Sequence, residues 1–231
     1  MLLGVQEALR FQLDEIAVAF PQYGEVGVGR DDGVSTGEYA AILYDRRRLT
    51  LLDQGWFWLS DTPTVPGSMT WGNRYPRIAT WARFADRRSG APFTVFNTHW
   101  DHESQVARER GARLILERIA ARAATEDPVL LIGDFNVGED NPAFQVLIAV
   151  RGSAPLAPGL VDTFRAVHPS ATEQIGTFHA FRGDRDGAKV DAVLASRQWQ
   201  VKDAGIVHAS ENGRYPSDHF PVTATVILRR E

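Results

Sequence analysis

Cysteine is absent from the 231 residues, which removes disulfide scaffolds, thiolate zinc sites and cysteine nucleophiles together. Lysine is nearly absent: of 25 Lys and Arg residues only Lys189 and Lys202 are Lys. Positive charge therefore comes as rigid guanidinium forks suited to phosphate or carboxylate. No stretch reaches the ~18 consecutive apolar residues of a membrane span. The opening Met1-Leu2-Leu3-Gly4-Val5 also lacks the basic flank and length of a secretory signal. There is no internal repeat and no low-complexity linker, and 44% hydrophobic with 23% charged residues excludes collagen-like, disordered and coiled-coil chains. The formal net charge of -4 argues against a broad basic surface for sequence-indifferent nucleic-acid binding. The length fits one core, and a single domain over residues 1–231 is the expectation.

What is present is an alternation of strand and helix signals. Leu9, Leu13, Ile16 and Phe20 recur at spacings of three and four, which predicts an amphipathic helix over Gln6–Ala19 ended by Pro21. Strands are expected at Tyr39–Tyr44, Leu49–Leu52, Trp56–Leu59 and Ile78–Phe84, with Asp45-Arg46-Arg47-Arg48 as an exposed hairpin turn. Phe93–Thr98 reads as a further strand, and a helix pattern runs from about Ser104 to Ala124. The short, continuously apolar Val129–Ile132 predicts a strand buried on both faces. A helix follows Asn141-Pro142, where Pro suits the first turn, and strands return at Ala188–Ala195, Gln200–Val207 and Phe220–Leu228. Mixed strands and outer helices point to an α/β chain with sheets packed on each other.

Polar residues gather where these strands end: His99 after Val95–Thr98, Asp134 and Asn136 after Val129–Ile132, Asp191 inside Val190–Leu194, and Asp218-His219 before Phe220. Each has a bland reading, since Gly133-Asp134-Phe135-Asn136 suits a turn and a lone His is commonly structural. Asp191 resists it, because a carboxylate between Val190 and Val193 needs a buried partner to stay ionised, and imidazole is the natural one. Two His, several carboxylates (Glu7, Glu38, Asp134, Asp191, Asp218) and the Asn136 carboxamide form a toolkit for hydrolysis assisted by a hard cation. Oxygen donors suit Mg²⁺ or Mn²⁺, and a thiolate-free chain is a poor zinc candidate.

Val5-Gln6-Glu7, Gly29-Arg30-Asp31-Asp32-Gly33, Asn97-Thr98-His99-Trp100-Asp101-His102, Gly133-Asp134-Phe135-Asn136, Lys189-Val190-Asp191 and Ser217-Asp218-His219-Phe220-Pro221-Val222 stand in one order over nearly the whole chain. In this the sequence resembles the endonuclease/exonuclease/phosphatase, or DNase I-like, superfamily. The resemblance implies a four-layer α/β sandwich, with two mainly antiparallel β-sheets face to face and helices outside, and the activity of a metal-dependent phosphoric ester hydrolase. By the same resemblance Glu7 is a metal carboxylate, Asp218 adds to the metal shell, and Asp134 orients or deprotonates water. Asn136 holds phosphate or water, and His219 binds or protonates the reacting phosphate with its tautomer fixed by Asp191. His99, oriented by Glu38, stabilises charge on the phosphoryl oxygens, while Arg77 and Arg30 bind substrate. Superfamily members place a strand ending in a metal-site Asn, then a helix, ahead of the Gln-Glu motif, whereas this chain opens just before that motif. The resemblance therefore implies a truncated N-terminus, an exposed backbone edge and low stability.

Gly33-Val34-Ser35-Thr36-Gly37 fits the G-x-S-x-G pattern of a serine esterase, but that elbow belongs between a strand and a helix, and here it precedes a strand. Asp134-x-Asn136-x-Gly138 lacks the closing Glu of a calcium loop, Gln145 standing there instead. A non-catalytic phosphate-binding module on the same fold is the remaining alternative. The expected partner is a phosphate ester, whether small molecule, lipid headgroup or nucleic acid, and no obligate protein partner is inferred. Trp71 and Trp100 are candidates for a substrate rim, while Trp56 and Trp58 read as core. The expected compartment is the cytoplasm, or outside it if a signal precedes Met1.

Overall fold

The computed structural model describes residues 1–122, 124–148 and 159–229. Along the chain lie β1 (Leu2–Ala8), α1 (Arg10–Ala19), β2 (Tyr23–Val26), β3 (Tyr39–Asp45), β4 (Leu49–Trp58), β5 (Ile78–Asp86), β6 (Pro92–His99), α2 (Gln105–Ala121) and β7 (Val129–Asp134). They are followed by α3 (Pro142–Ile148), β8 (Val161–Asp162), α4 (Thr163–Val167), β9 (Asp191–Ala195), β10 (Trp199–Ile206) and β11 (Val222–Leu228).

The period of two along each strand sorts side chains into layers. A six-stranded sheet runs in the order β4-β5-β6-β7-β9-β8, antiparallel except where β6 and β7 run parallel through the α2 crossover. On one face, Phe96, Leu131 and Leu194 pack with Ile115, Leu116 and Ile119 of α2 and Phe144 and Leu147 of α3. On the other, Phe84, Phe93, Val95 and Ile132 meet Val26, Ile42 and Tyr44 of the second layer. That both faces of β7 are covered is why its sequence is continuously apolar. The second layer holds the small sheets β1-β3-β2 and β10-β11. Behind the first of them, Leu13 of α1 packs on Ala41 and Leu43. Helix, sheet, sheet and helix make the expected α/β sandwich of four layers.

Several local expectations shift. Gln6 and Glu7 lie on β1 rather than on a helix, in a register shift held on either side by pairing with β3, Val5 with Ala41 and Ala8 with Tyr39. Helix α1 starts at Arg10, where the Gln12 side chain accepts from the Leu9 N–H at 2.8 Å. The two short strands expected at Leu49–Leu52 and Trp56–Leu59 are one strand, β4, continuous through an irregularity between Leu51 and Asp53. Arg46, Arg47 and Arg48 are exposed as expected, but the turn joins β3 to a strand of the other sheet and so closes no hairpin. Helix α2 ends at Ala121, and residue 123 of the expected helix lies outside the described residues. Among the described residues no helix is long and apolar enough to cross a membrane.

One buried polar group ties the layers together near the end where the polar motifs collect. Asn97, on β6, donates from Nδ2 to the carbonyls of Ala41 (2.8 Å) and Val5 (3.1 Å) and accepts from Gln6 Nε2 at 2.6 Å. A fully satisfied carboxamide in a low-dielectric layer fixes a single arrangement, here the height of β1 over β6. At its outer edge β1 has no strand partner among the described residues, and neither has β11.

Candidate active site

Sheet register assembles the first half of the site. His99 is paired with Asp134, and Asp134 with Asp191, so three polar residues from distant motifs stand side by side on adjacent strand ends. Directly paired residues share a face, and two residues before Asp134 that face carries Ile132 into the space between the sheets. The close approach of β7 to β6 requires Gly133, since a Cβ there would sit 2.1 Å from the Thr98 carbonyl oxygen. Thr177 Oγ1 accepts from the N–H groups of Val190 and Asp191, fixing the start of β9.

The second layer supplies the other half. Glu7 occupies a register shift between Val5 and Ala8 and has φ 59°. A left-handed glutamate is a strained conformation that persists only when its surroundings over-determine it. The kink brings Glu7 Oε1 to 3.8 Å from His99 Nε2. His219, just before β11, closes the cluster from the other side: its Nδ1 is 2.8 Å from Asp191 Oδ2 and its Nε2 3.8 Å from Asp134 Oδ2. His99 Nε2 lies 3.5 Å from that same Asp134 oxygen. Two clusters result, Glu7/Glu38/His99 and Asp134/Asp191/His219, each with ligand atoms within 4.8 Å of one another.

Burial and charge set these groups far from their ordinary behaviour. Asp134, 4% exposed, is pushed up to about 7, first by burial and then by the Asp191 charge, with His219 and the Asn136 N–H pulling the other way. Burial alone would lower His219, but the hydrogen bond and charge of Asp191, with Asp134 and Asp218, raise it to about 9. Its Nδ1–H then donates to Asp191 and its Nε2–H faces Asp134. His99 is held well below its usual value by burial and by the cations Arg77 and Arg30, and stays neutral. Glu7 is raised by burial and by repulsion from Glu38 and Asp218. Crowded carboxylates that repel one another form an oxygen-rich donor set, and a hard dication relieves that repulsion. The residues therefore fit a hard divalent cation.

Asn136 sits at φ 53°. Its Nδ2 donates to the Trp100 carbonyl at 2.9 Å and its backbone N–H to Asp134 Oδ1 at 2.8 Å, which leaves the carboxamide oxygen free of these bonds. Arg77 is 4% exposed. Its Nη2 meets His102 Nδ1 at 2.9 Å, whereas Nε, 3.7 Å from Asp101 Oδ2, and Nη1 make no hydrogen bond. Buried N–H groups without acceptors are costly, and an anion would satisfy them. Arg30 is likewise buried, with Nη1 on Glu38 Oε2 and Nε, 3.9 Å from Asp31 Oδ1, without a hydrogen bond.

That ion pair corrects one expectation. Glu38 does not orient His99: its carboxylate is taken by the Arg30 guanidinium, and His99 Nδ1 has no hydrogen-bond partner. Asp218 acts on Glu7 by charge but belongs to neither three-residue cluster. Ser35 is no nucleophile elbow. Its loop lies between β2 and β3, wrapped around Asp32, whose Oδ1 accepts from the N–H groups of Val34, Ser35 and Thr36. Trp71 and Trp100 are core residues rather than rim, and Trp56, expected in the core, is exposed.

Sequence reasoning assigns no role to Lys189. It is 2% exposed, with Nζ 2.8 Å from Asp162 Oδ2 and 3.4 Å from Glu139 Oε1. Arg165 binds the same Glu139. The network pins the loop after Asn136 to the approach to Asp191, and the available signal is one lysine beside an apolar strand in a chain that uses arginine almost everywhere.

Comparison with known proteins fits this geometry. The profile of the Endonuclease/Exonuclease/phosphatase family matches residues 2–219. The chain is similar to an endonuclease/exonuclease/phosphatase from Bacteroides vulgatus, 33% identical with a TM-score of 0.88 over 99% of this chain and 85% of that one. It is also similar to the Bacteroides thetaiotaomicron mannosyl-6-phosphatase Bt3783, 31% identical with a TM-score of 0.85 over 98% of this chain and 85% of that one. A protein of Acanthamoeba polyphaga mimivirus, L388, is 31% identical over 118 residues, 50% of this chain and 43% of the relative. The match thus spans less than half the length of that curated relative.

Proposed function

The chain belongs to the endonuclease/exonuclease/phosphatase family, and from that membership we propose that it is a divalent-metal-dependent phosphoesterase hydrolysing a phosphate ester by direct attack of water. The observation that carries the reading is the contact chain from His99 through Asp134 Oδ2 to His219, backed by Asp191 and flanked by Glu7. Glu7 would hold Mg²⁺ or Mn²⁺, with Asp218 adding negative charge nearby. When bound, such an ion polarises a phosphoryl oxygen.

Asp134, poised near neutrality, takes a proton from a water molecule as the water oxygen bonds to phosphorus and the ester O–P bond breaks, the alcohol leaving with a proton from solvent. The protonated His219 donates from Nε2 to a phosphoryl oxygen, and Asp191 holds that ring by Nδ1. Neutral His99 stabilises charge that develops on the phosphoryl group. The free carboxamide oxygen of Asn136 orients the water, while Arg77 and Arg30 turn unpartnered N–H groups to phosphate oxygens.

Among substrates, the likeness to a mannosyl-6-phosphatase favours a sugar phosphate monoester over a lipid headgroup. The net charge of -4 weighs against long duplex nucleic acid. A panel of a hexose 6-phosphate, a nucleoside monophosphate and a phosphodiester, assayed with Mg²⁺, Mn²⁺ or EDTA on the native chain and on Asp134→Ala, tests the reading. Turnover that needs the ion and disappears in Asp134→Ala is expected. Binding without turnover would favour the non-catalytic module instead.

A further inference from the structure

One exposed aromatic ring is built onto the backbone that carries His219. Phe178 and His219 form an antiparallel bridge, and the register is secured by Phe220 N–H to the Thr177 carbonyl (2.7 Å) and by His179 and Ala180 N–H to the Asp218 carbonyl (2.8 and 3.1 Å). Residues directly opposite in such a pair project to the same face. The Phe178 ring accordingly emerges on the side of the His219 ring, with centroids 5.1 Å apart. His179 points the other way, buried and stacked on Phe220 at 3.9 Å. Ala180 and Phe181 then close the turn at φ 47° and 62°, with Arg182 N–H on the His179 carbonyl at 2.8 Å. Two successive non-glycine residues in the left-handed region are strained, and the Asp218 and His179 bonds hold them there. The result is a rigid mount for a phenyl ring that is 50% exposed beside the imidazole facing Asp134.

A second exposed ring, Tyr75, lies against Arg30, the partner of Glu38, at 5.3 Å and stacks on His102 at 6.2 Å. Exposed aromatic rings thus stand one beside each of the two carboxylate–histidine clusters. Acyclic alcohols have no flat face to match them, whereas the C–H face of a pyranose and the π-face of a base both do.

We propose that Phe178 contacts substrate, stacking on a ring carried next to the scissile phosphate, so that the substrate class is a phosphate ester of a sugar or nucleoside. The inference rests on the phosphoesterase reading above and narrows it. The test is kcat/KM for a hexose 6-phosphate, a nucleoside 5′-monophosphate and glycerol 3-phosphate, measured on the native chain, Phe178→Ala, Phe178→Leu and Phe178→Trp. Calorimetric titration of the same three esters into EDTA-treated protein runs beside it. In Phe178→Ala the preference for the ring ester over glycerol 3-phosphate should fall about ten-fold, mainly through KM. Phe178→Leu, which keeps apolar bulk without a ring face, should fall with it, and Phe178→Trp should restore the preference. Which of the two ring esters loses more identifies the source of the ring. An unmoved preference, or equal loss on all three esters, overturns the inference while leaving hydrolysis intact. If no ester is turned over with either ion but the ring ester binds about ten-fold more weakly to Phe178→Ala, hydrolysis fails and the Phe178 contact stands. Absence of both turnover and binding overturns both.

Discussion

Replacing Asp134 by Asn removes a charge that the folded chain accommodates poorly, so the variant should be more stable than the native chain in the absence of metal. Burial and Asp191 raise the Asp134 carboxyl from 3.8 to about 7. Between those values the folded chain keeps a proton that the unfolded chain has released, so stability falls as pH rises through the window and levels off above it. At about 1.4 kcal/mol for each pH unit that the window spans, the full penalty is of the order of 4 kcal/mol. Neutralising Asp134 also takes from His219 one of the charges that favour its protonated form, so the expected net gain is about 2–4 kcal/mol. The Asn oxygen can still accept the Asn136 N–H that Asp134 Oδ1 accepts at 2.8 Å. Thermal melts in EDTA should show Asp134→Asn about 5–10 °C above the native chain at pH 8, with the difference closing toward pH 4. Addition of Mg²⁺ should stabilise the native chain more than the variant. A variant that melts at or below the native temperature at pH 8 would refute the electrostatic account of this site.

Asp191→Asn removes the charge, and weakens the hydrogen bond, that raise His219 to about 9. The basic limb of the activity profile, where His219 loses its proton, should therefore move down toward the ordinary histidine value, as read from kcat/KM against pH. The stability that His219 gains from its raised value is fully present below 6.5 and is lost as pH rises through about 9, a dependence that Asp191→Asn should flatten in urea melts. Glu7→Gln relieves repulsion with Glu38 and Asp218, so it should weaken Mg²⁺ binding about ten-fold or more by calorimetry without lowering the melting temperature in EDTA. Lys189→Met leaves Asp162 and Glu139 without the cation now at 2.8 and 3.4 Å. It should cost about 3–5 kcal/mol in urea denaturation.

The strands and helices most readable in the sequence are those whose signal is local. Val129–Ile132 is continuously apolar because both its faces are covered, and Ser104 and Pro142 mark helix starts by their own chemistry. The spacing of Leu9, Leu13 and Ile16 extends naturally backwards over Gln6 and Glu7, yet these two residues are strand. Their conformation comes from β3, some 35 residues away in pairs such as Val5 with Ala41, and such pairing is strengthened only as a whole sheet assembles. Leu49–Trp58 reads as two strands for a related reason. An irregularity after Leu51 breaks the alternation without breaking the pairing with β5.

The chemistry on offer is written in the chain: hard oxygen ligands, two histidines at strand ends, arginine as nearly all the positive charge, and motifs in one order. Which of these groups act on one another is settled by folding alone. Folding gives Glu38 to Arg30 rather than to His99, makes Asn97 a tie between sheets, buries Trp100, and sets Phe178 beside His219. The reason is physical: side-chain type is local, whereas register, burial and charge proximity depend on which strands lie next to one another, and those neighbours are far apart along the chain.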